Sequence, residues 1–402
     1  MKKVDALPIR GLYKLQIYER YVTACLRFDL AVHDVSESRL ENLDRTVRKF
    51  ARKWCSMPPS THVGMLFHSS GLNLTEPSHM YREGHVSLFM SAKGSDPYLA
   101  EAVSTQTPGT HSAQHQAVTD IAHAARNSKQ AKEINKAVKD SIHEDLASDL
   151  KKQNDWKHVL CLCDSDVKWK ACISGLSEPT FAFVMRAISD SLPSNSNLKL
   201  WNKLVSAQCK ACGNSNQTVH HILNNCPSHL NLYSWRHDNV LLLLKTFLTS
   251  HIRDKEVKVD LVTTESIILE SNVETVPCDI YPTVLRPDIV IIDRSCKQIT
   301  IIELTIPFER NFQDAQRRKT EKYSTLVAGL EEVGFQCCFY SLEVGSRGVV
   351  SNGATKFFKN ISGASRSEVK RLLTSVSQVA IKCSYVIFKE RDNANAKYVN
   401  IM

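Results

Sequence analysis

No stretch of this 402-residue sequence stays apolar for the ~20 residues a membrane-spanning helix requires; the most apolar run, Val240 to Leu244, ends at Lys245. No membrane partner is expected. Nor is a secretory leader, because Asp5, Arg10, Lys14 and Glu19 interrupt the stretch from Val4 to Tyr21. Internal repeats and low-complexity tracts are lacking, which excludes a solenoid and a tail-like chain. Charge of one sign is in only modest excess: 51 Lys and Arg stand against 42 Asp and Glu, a formal net charge of +9 that favours an anionic partner without selecting one. The 13 cysteines are odd in number and scattered, so a disulfide framework is not expected. They read as reduced thiols or metal ligands, in cytosol or nucleus.

What is present is enough apolar residue, 43%, to build two or three ordinary domains. Leu12, Leu15, Ile17, Tyr18, Tyr21 and Val22, then Leu40, Leu43, Val47, Phe50 and Trp54, recur at helical spacing and predict two helices. From Met57 to Glu76, Pro58, Pro59, Gly64 and Gly71 break that period and predict an ordered loop. Residues 95–155 are polar with a thin apolar pattern (Val118, Ile121, Ala122, Ala125, Ile134, Val138, Ile142, Leu146), which predicts exposed helices linking domains. A third helical block covers Phe181 to Leu192. Beyond Ser250 the pattern turns to short β-rich runs, Ile289 to Ile292, Ile299 to Ile306 and Cys337 to Val344, with a polar helix from about Phe312 to Val333 closed by Gly334 and another from about Ser367 to Ile381. The expected class is α+β: a helical N-terminal half, then an α/β domain with a mixed sheet flanked by helices.

Cys209, Cys212, His221 and Cys226 form a Cys-x2-Cys-x8-His-x4-Cys array. Three thiolates and an imidazole suit tetrahedral zinc, and the tight first pair with Gly213 lets the backbone fold both sulfurs toward one ion. Four protein ligands leave no open position for water, so the expected role of Zn2+ is structural. His220 competes with His221 for the third position, with His229 in reserve. The looser set His158, Cys161 and Cys163 reads as small apolar residues beside a surface histidine.

Arg286-Pro287-Asp288 runs straight into Ile289-Val290-Ile291-Ile292, and a polar turn from Asp293 to Gln298 returns the chain into a second strand carrying Glu303. A hairpin symmetric about the Ser295–Cys296 bond sets Asp288 opposite Glu303. Opposed acids ~5 Å apart repel, and Glu303 interrupts an apolar run where its burial is costly. A divalent cation, Mg2+ or Mn2+, relieves both problems and could activate water toward a phosphodiester. An exposed acid pair on an edge hairpin is the alternative. On the following helix Ala315, Lys319, Lys322, Tyr323, Leu326 and Leu330 share a face; its two lysines either reach solvent or point at the acids.

Together these residues resemble the C-terminal third of site-specific non-LTR retrotransposon proteins with a restriction-like endonuclease, the clade known for inserting in ribosomal RNA genes. The resemblance covers most of the chain and is strongest from about 180 to 350. It rests on the Cys-Cys-His-Cys knuckle, then Arg286-Pro287-Asp288, Glu303, and the Lys319-Thr320-Glu321-Lys322-Tyr323 pattern. Supporting matches are Leu192-Pro193 with Asn197-Leu198 and Trp201, Arg236-His237-Asp238-Asn239-Val240, Glu343-Val344-Gly345-Ser346-Arg347-Gly348, and Tyr13-Lys14 with Arg52-Lys53-Trp54.

The resemblance implies a PD-(D/E)xK nuclease fold over 236–402, a helical segment with the knuckle over 181–235, a helical linker over 76–180 and a thumb-like remnant over 1–75. It implies nicking of a DNA target in the nucleus, with the element's RNA as a further partner. Asp288 and Glu303 would hold Mg2+, and Lys319 or Lys322 would act on water or phosphate. Arg286, Arg310, Arg317, Arg318, Tyr323 and Arg347 would contact nucleic acid. Three departures stand out. The chain has no Asp-Asp dipeptide, so reverse transcription is not expected of it, and the alternative is a catalytically inactive nucleic-acid-binding fragment. Gln217-Thr218 replaces the family's Glu-Thr within the knuckle. Thr305 stands where ordinary restriction-type nucleases place lysine, consistent with the family's relocation of that lysine to the next helix.

Overall fold

The computed structural model describes residues 1–69, 71–95, 98, 113–145, 155–264, 267–270 and 274–394. They divide into two compact units, Met1–Lys157 with Ser189–Ser191, and His158–Ile188 with Leu192–Met402. The class is α+β, and no described helix is long and apolar enough to cross a membrane.

In the first unit the predicted first helix is longer than its apolar pattern suggests. Helix α1 (Gly11–Ile17) passes through a π turn at Tyr18–Val22 into α2 (Thr23–Val32), and α3 follows at Glu37–Trp54. Leu30 and Leu40 meet Met80 and Tyr81 of α4 (Pro77–Ser95) in one small core. The loop before α4 is ordered, with Met65, Leu66 and Phe67 fully buried on a single helical turn.

The helices expected to be exposed are not so. In α5 (Ala113–Ala124) and α6 (Ser128–Asp145), Val118, Ile121 and Ala131 pack with Val86 of α4. The polar residues Asn135, Lys139 and His143 are buried too. Composition cannot foresee this. The partners that make such burial tolerable lie far off in sequence, Asn73 for Lys139 (2.8 Å) and Glu76 for His143 (3.1 Å). Leu146 lies outside the described residues.

The second unit is built on a mixed sheet of order β1-β4-β5-β6, where β1 is Glu256–Val259, β4 Ile289–Asp293, β5 Gln298–Thr305 and β6 Gln336–Glu343. Strands β2 (Val262–Thr264) and β3 (Ile267–Glu270) form a separate ribbon. The edge strand β1 escapes sequence reading because its Glu-Val-Lys-Val, although it alternates polar and apolar, is only four residues long, the shortest run from which a period of two can be read.

Period-2 alternation sorts each strand into two layers. Ile289, Ile291, Ile302, Leu304 and Leu342 pack against Leu241, Leu244 and Leu248 of α8 (Leu230–His251) and Val369, Leu373 and Val376 of α11 (Arg366–Lys389). Val290, Ile292, Ile299 and Ile301 face Tyr323, Leu326 and Leu330 of α9 (Phe312–Glu332). Each such side chain contributes roughly 1.5–3 kcal/mol by leaving water. Helix α9 links β5 to β6, which pair in parallel, as a crossover requires. Before these come α7 (Glu178–Ile188), and between β6 and α11 lies α10 (Ala354–Ser362). Ser365 and Glu368 close a capping box at the start of α11, a start marked in sequence by Ser-x-x-Glu.

Candidate functional site

The knuckle gathers its four residues as the spacing predicts. Cys209, Cys212, His221 and Cys226 bring their ligand atoms within 4.8 Å of one another. Gly213, at φ +70°, turns the chain after the first cysteine pair, and a π turn at His221–Asn225 carries the histidine. Tetrahedral bonds of about 2.3 Å to sulfur and 2.0–2.1 Å to nitrogen require edges of about 3.8 Å (S to S) and 3.6 Å (S to N). Cys209 Sγ lies 4.0 Å from Cys226 Sγ, and Cys212 Sγ 3.4 Å from His221 Nε2, so the donor set fits such an ion. His220 is turned elsewhere, 3.3 Å from the Asn225 and Asn311 amides. All 13 cysteines are free of disulfides, and His158, Cys161 and Cys163 form no metal-holding group among the described residues.

The knuckle is fastened to the sheet that follows it. Asn224 donates to the Ile306 carbonyl just beyond β5 (2.8 Å), and Gln217 donates to Asp392 (2.9 Å). Buried Arg236 donates to Ser384 Oγ (2.9 Å) and to Ile306 O (3.3 Å).

The second site lies at the end of the β4–β5 hairpin. Register pairs Ile289 with Ile302 and Val290 with Ile301, which continues to Asp288 opposite Glu303. By alternation Glu303 falls on the side of Ile299 and Ile301 and so faces α9, whereas Asp288 stands just before β4 and its carboxylate meets His237 of α8. The Asp288 amide donates to Glu303 Oε2 (3.2 Å), and Lys319 from α9 forms an ion pair with Glu303 Oε1. A cleft of about 420 Å³ opens here, with Asp260, Asp288, Lys319 and His237 in its lining.

Glu303 is 2% exposed. Burial and then the Asp288 charge push its carboxyl above the usual range, against the pull of Lys319. Burial would raise Asp288 as well, but the charge and hydrogen bond of His237 hold it below its ordinary value. The two acids are thus shifted in opposite directions, Asp288 down by His237 and Glu303 up by burial and the Asp288 charge despite its ion pair with Lys319.

Of the two candidate lysines, Lys319 reaches the acids. Lys322 instead donates to the Tyr323 hydroxyl (2.9 Å) and lies over that ring, the three residues of helix between the lysines having set it about 60° around the axis from Lys319. Arg286, Arg310, Arg317 and Arg318 are exposed, Arg317 being paired with Asp314 (3.0 Å).

Two expected nucleic-acid contacts are overturned. Tyr323 is fully buried and donates its hydroxyl to the Arg286 carbonyl (2.8 Å), so it fastens the Arg-Pro-Asp segment to α9 from within the core. Arg347 is 1% exposed, sits over the Phe308 ring, and donates Nε to Glu309 Oε2 (2.7 Å) while its amide donates to Glu309 Oε1 (2.7 Å). That buried pair pins the loop after β6. Gly345 is required beside it, since a Cβ there would lie 2.2 Å from Glu309 Oε1.

Sequence reasoning missed Asp260, and it named His237 only within the Arg236-to-Val240 match, without a role at the acids. Asp260 follows β1, and its amide donates to the Asp288 carbonyl (2.9 Å). His237 of α8 places Nε2 3.3 Å from Asp288 Oδ2 and Nδ1 3.1 Å from Asp238 Oδ1. Both partners are carboxylates, so both ring nitrogens donate. Burial pulls the imidazole down, but the Asp288 charge and the two acid hydrogen bonds raise it to about 10. The signal in the sequence was that match, in which a His-Asp pair leads into the apolar run of a helix. The chain matches no protein-family model and no curated protein.

Proposed function

We propose that this chain is a metal-dependent DNA endonuclease of the PD-(D/E)xK type, the strand-nicking part of a non-LTR retrotransposon protein. The observation that carries this reading is the convergence of Asp288, Glu303 and Lys319 from two strands and the crossover helix at one end of a mixed sheet. The donors are hard oxygens, and Asp288 Oδ1 accepts no hydrogen bond among the described residues, which suits Mg2+ or Mn2+. Such an ion, when bound, supplies Lewis acidity toward a phosphodiester oxygen and lowers the pKa of attacking water.

Within that chemistry Asp288 and Glu303 hold the cation, and the Lys319 ammonium orients the nucleophile or stabilises charge on the phosphate. Arg286, Arg310, Arg317 and Arg318 contact backbone phosphates, which position the duplex without reading its sequence. Zn2+ in the closed Cys-Cys-His-Cys site is structural. The identities of the thumb-like remnant, linker and nuclease regions, the element's RNA as a second partner, and action in the nucleus belong to the same proposal. Strand synthesis does not.

The test is nicking of supercoiled plasmid by the zinc-loaded chain in Mg2+, beside folded Asp288→Ala and Glu303→Ala proteins. Nicking by the parent and by neither variant is the expected result. A folded parent that binds DNA yet leaves it intact in Mg2+ and Mn2+ would replace this reading with that of a nucleic-acid-binding module.

A further inference from the structure

His237 and Asp238 take no part in the chemistry set out above, yet they stand against its central carboxylate. Asp288 Oδ2 accepts two hydrogen bonds, from the Leu304 amide (2.7 Å) and from His237 Nε2 (3.3 Å). The Leu304 amide belongs to β5 and cannot move without the sheet. His237 comes from α8, whose next turns are buried in the core through Val240, Leu241 and Leu244. Its far nitrogen is anchored in turn on Asp238 (3.1 Å). The ring is three-quarters buried, so a nearby solvent molecule is a poor substitute for it.

We infer that His237 is a positioning residue: braced by Asp238, it fixes Asp288 through Oδ2 so that Oδ1 is presented to a divalent cation in the cleft. The inference rests on the reading of this cleft as a metal site. A carboxylate free to rotate would divide its time among rotamers, whereas one held through Oδ2 keeps a single one. Two donors on the same oxygen, one from the sheet and one from a helix packed on it, select that rotamer. Partners of metal-ligating side chains matter at this level, with loss typically costing 10–100-fold in affinity.

An opposing effect has the other sign. A cationic imidazole repels an incoming cation, so if charge rather than orientation governed the site, removing His237 would tighten binding. The two accounts therefore separate cleanly.

The experiment is Mn2+ binding to the zinc-loaded full chain, followed through the free-ion paramagnetic resonance signal without DNA. The site of interest is the one lost in Asp288→Ala. His237→Ala, shown folded by near-ultraviolet circular dichroism, is expected to bind there at least about tenfold more weakly. His237→Gln keeps an N–H for Asp288 and is expected to return to within about threefold of the parent, or tighter, a rescue that loss of packing alone would not give.

Equal or tighter binding by His237→Ala would overturn the inference. So would a His237→Gln protein as weak as the alanine variant, or a parent with no Mn2+ site that depends on Asp288. A parent that binds Mn2+ as described but does not nick DNA would sink the nuclease reading and leave the positioning role standing.

Discussion

Each of the two units buries a pair of acids, and the comparison between them is instructive. In the first, Asp44 and Glu76 are 7% and 5% exposed; in the second, Asp288 and Glu303 are 14% and 2% exposed. Both pairs are perturbed in the same manner. Burial and then the Glu76 charge raise Asp44 to about 6, while Glu76, which burial would also raise, is held low by His143 and Arg48. Perturbed ionisation alone therefore does not tell a structural cluster from a functional one.

The hydrogen bonds and ion pairs at each oxygen, taken together, do. Glu76 gives Oε1 to Arg48 (2.9 Å) and Oε2 to His143 (3.1 Å), and Asp44 Oδ1 accepts from the Ser78 amide (3.0 Å) with Arg48 3.9 Å from Oδ2. That pair is answered by its own fold. In the cleft, Asp288 Oδ1 is left without a hydrogen bond among the described residues, beside an acid pushed up by burial and the Asp288 charge.

The largest effect that could break this contrast is at Asp288. Asp288→Ala is expected to reduce plasmid nicking by about a thousandfold, roughly 4 kcal/mol of transition-state stabilisation, with little change in the thermal midpoint. The mirror-image expectation holds for Glu76→Ala. Leaving His143 buried without Glu76, and Arg48 with Asp44 alone, should cost about 3 kcal/mol of stability in urea unfolding of the first unit. Nicking at temperatures where that unit stays folded should be near parental.

Smaller effects sharpen the comparison. Lys319→Ala should lower nicking about a hundredfold, whereas Lys322→Ala should change it less than about threefold, because only Lys319 meets the acids. The smallest effect concerns pH. Asp44 is raised on folding, so its contribution to stability is fully present below its ordinary value of 3.8 and is lost as pH rises through about 6. Asp44→Asn should then stabilise the first unit at pH 7 by on the order of 1 kcal/mol and flatten its stability profile between those two values. A variant less stable than the parent at pH 7 would contradict the assignment.

The sequence was most legible where chemistry is local. The knuckle fits within Cys209 to Cys226, and its spacing alone names the ligands that the fold gathers. The hairpin register followed from the symmetry of one turn, and with it the meeting of Asp288 and Glu303. Helix geometry left Lys319 and Lys322 open, because both lie near one face and only packing shows which leans on the sheet.

What was not legible depends on distant neighbours. The resemblance made Tyr323 and Arg347 nucleic-acid contacts, yet the Arg286 carbonyl and the Glu309 carboxylate accept their hydrogen bonds inside the core. His237 reaches Asp288 only because α8 crosses the sheet, and no periodicity announces a helix-to-strand contact. The polar helices of the first unit misled for the same reason.

The central claim, that the cleft and not merely any buried acid pair carries the activity, is tested most directly by nicking assays on Glu303→Gln and Glu76→Gln side by side. Both changes preserve shape and remove one buried carboxylate charge. Loss of Mg2+-dependent nicking in folded Glu303→Gln, with activity retained in folded Glu76→Gln, is the expected result. Equal activity in the two proteins, or loss that tracks their stabilities alone, would contradict it.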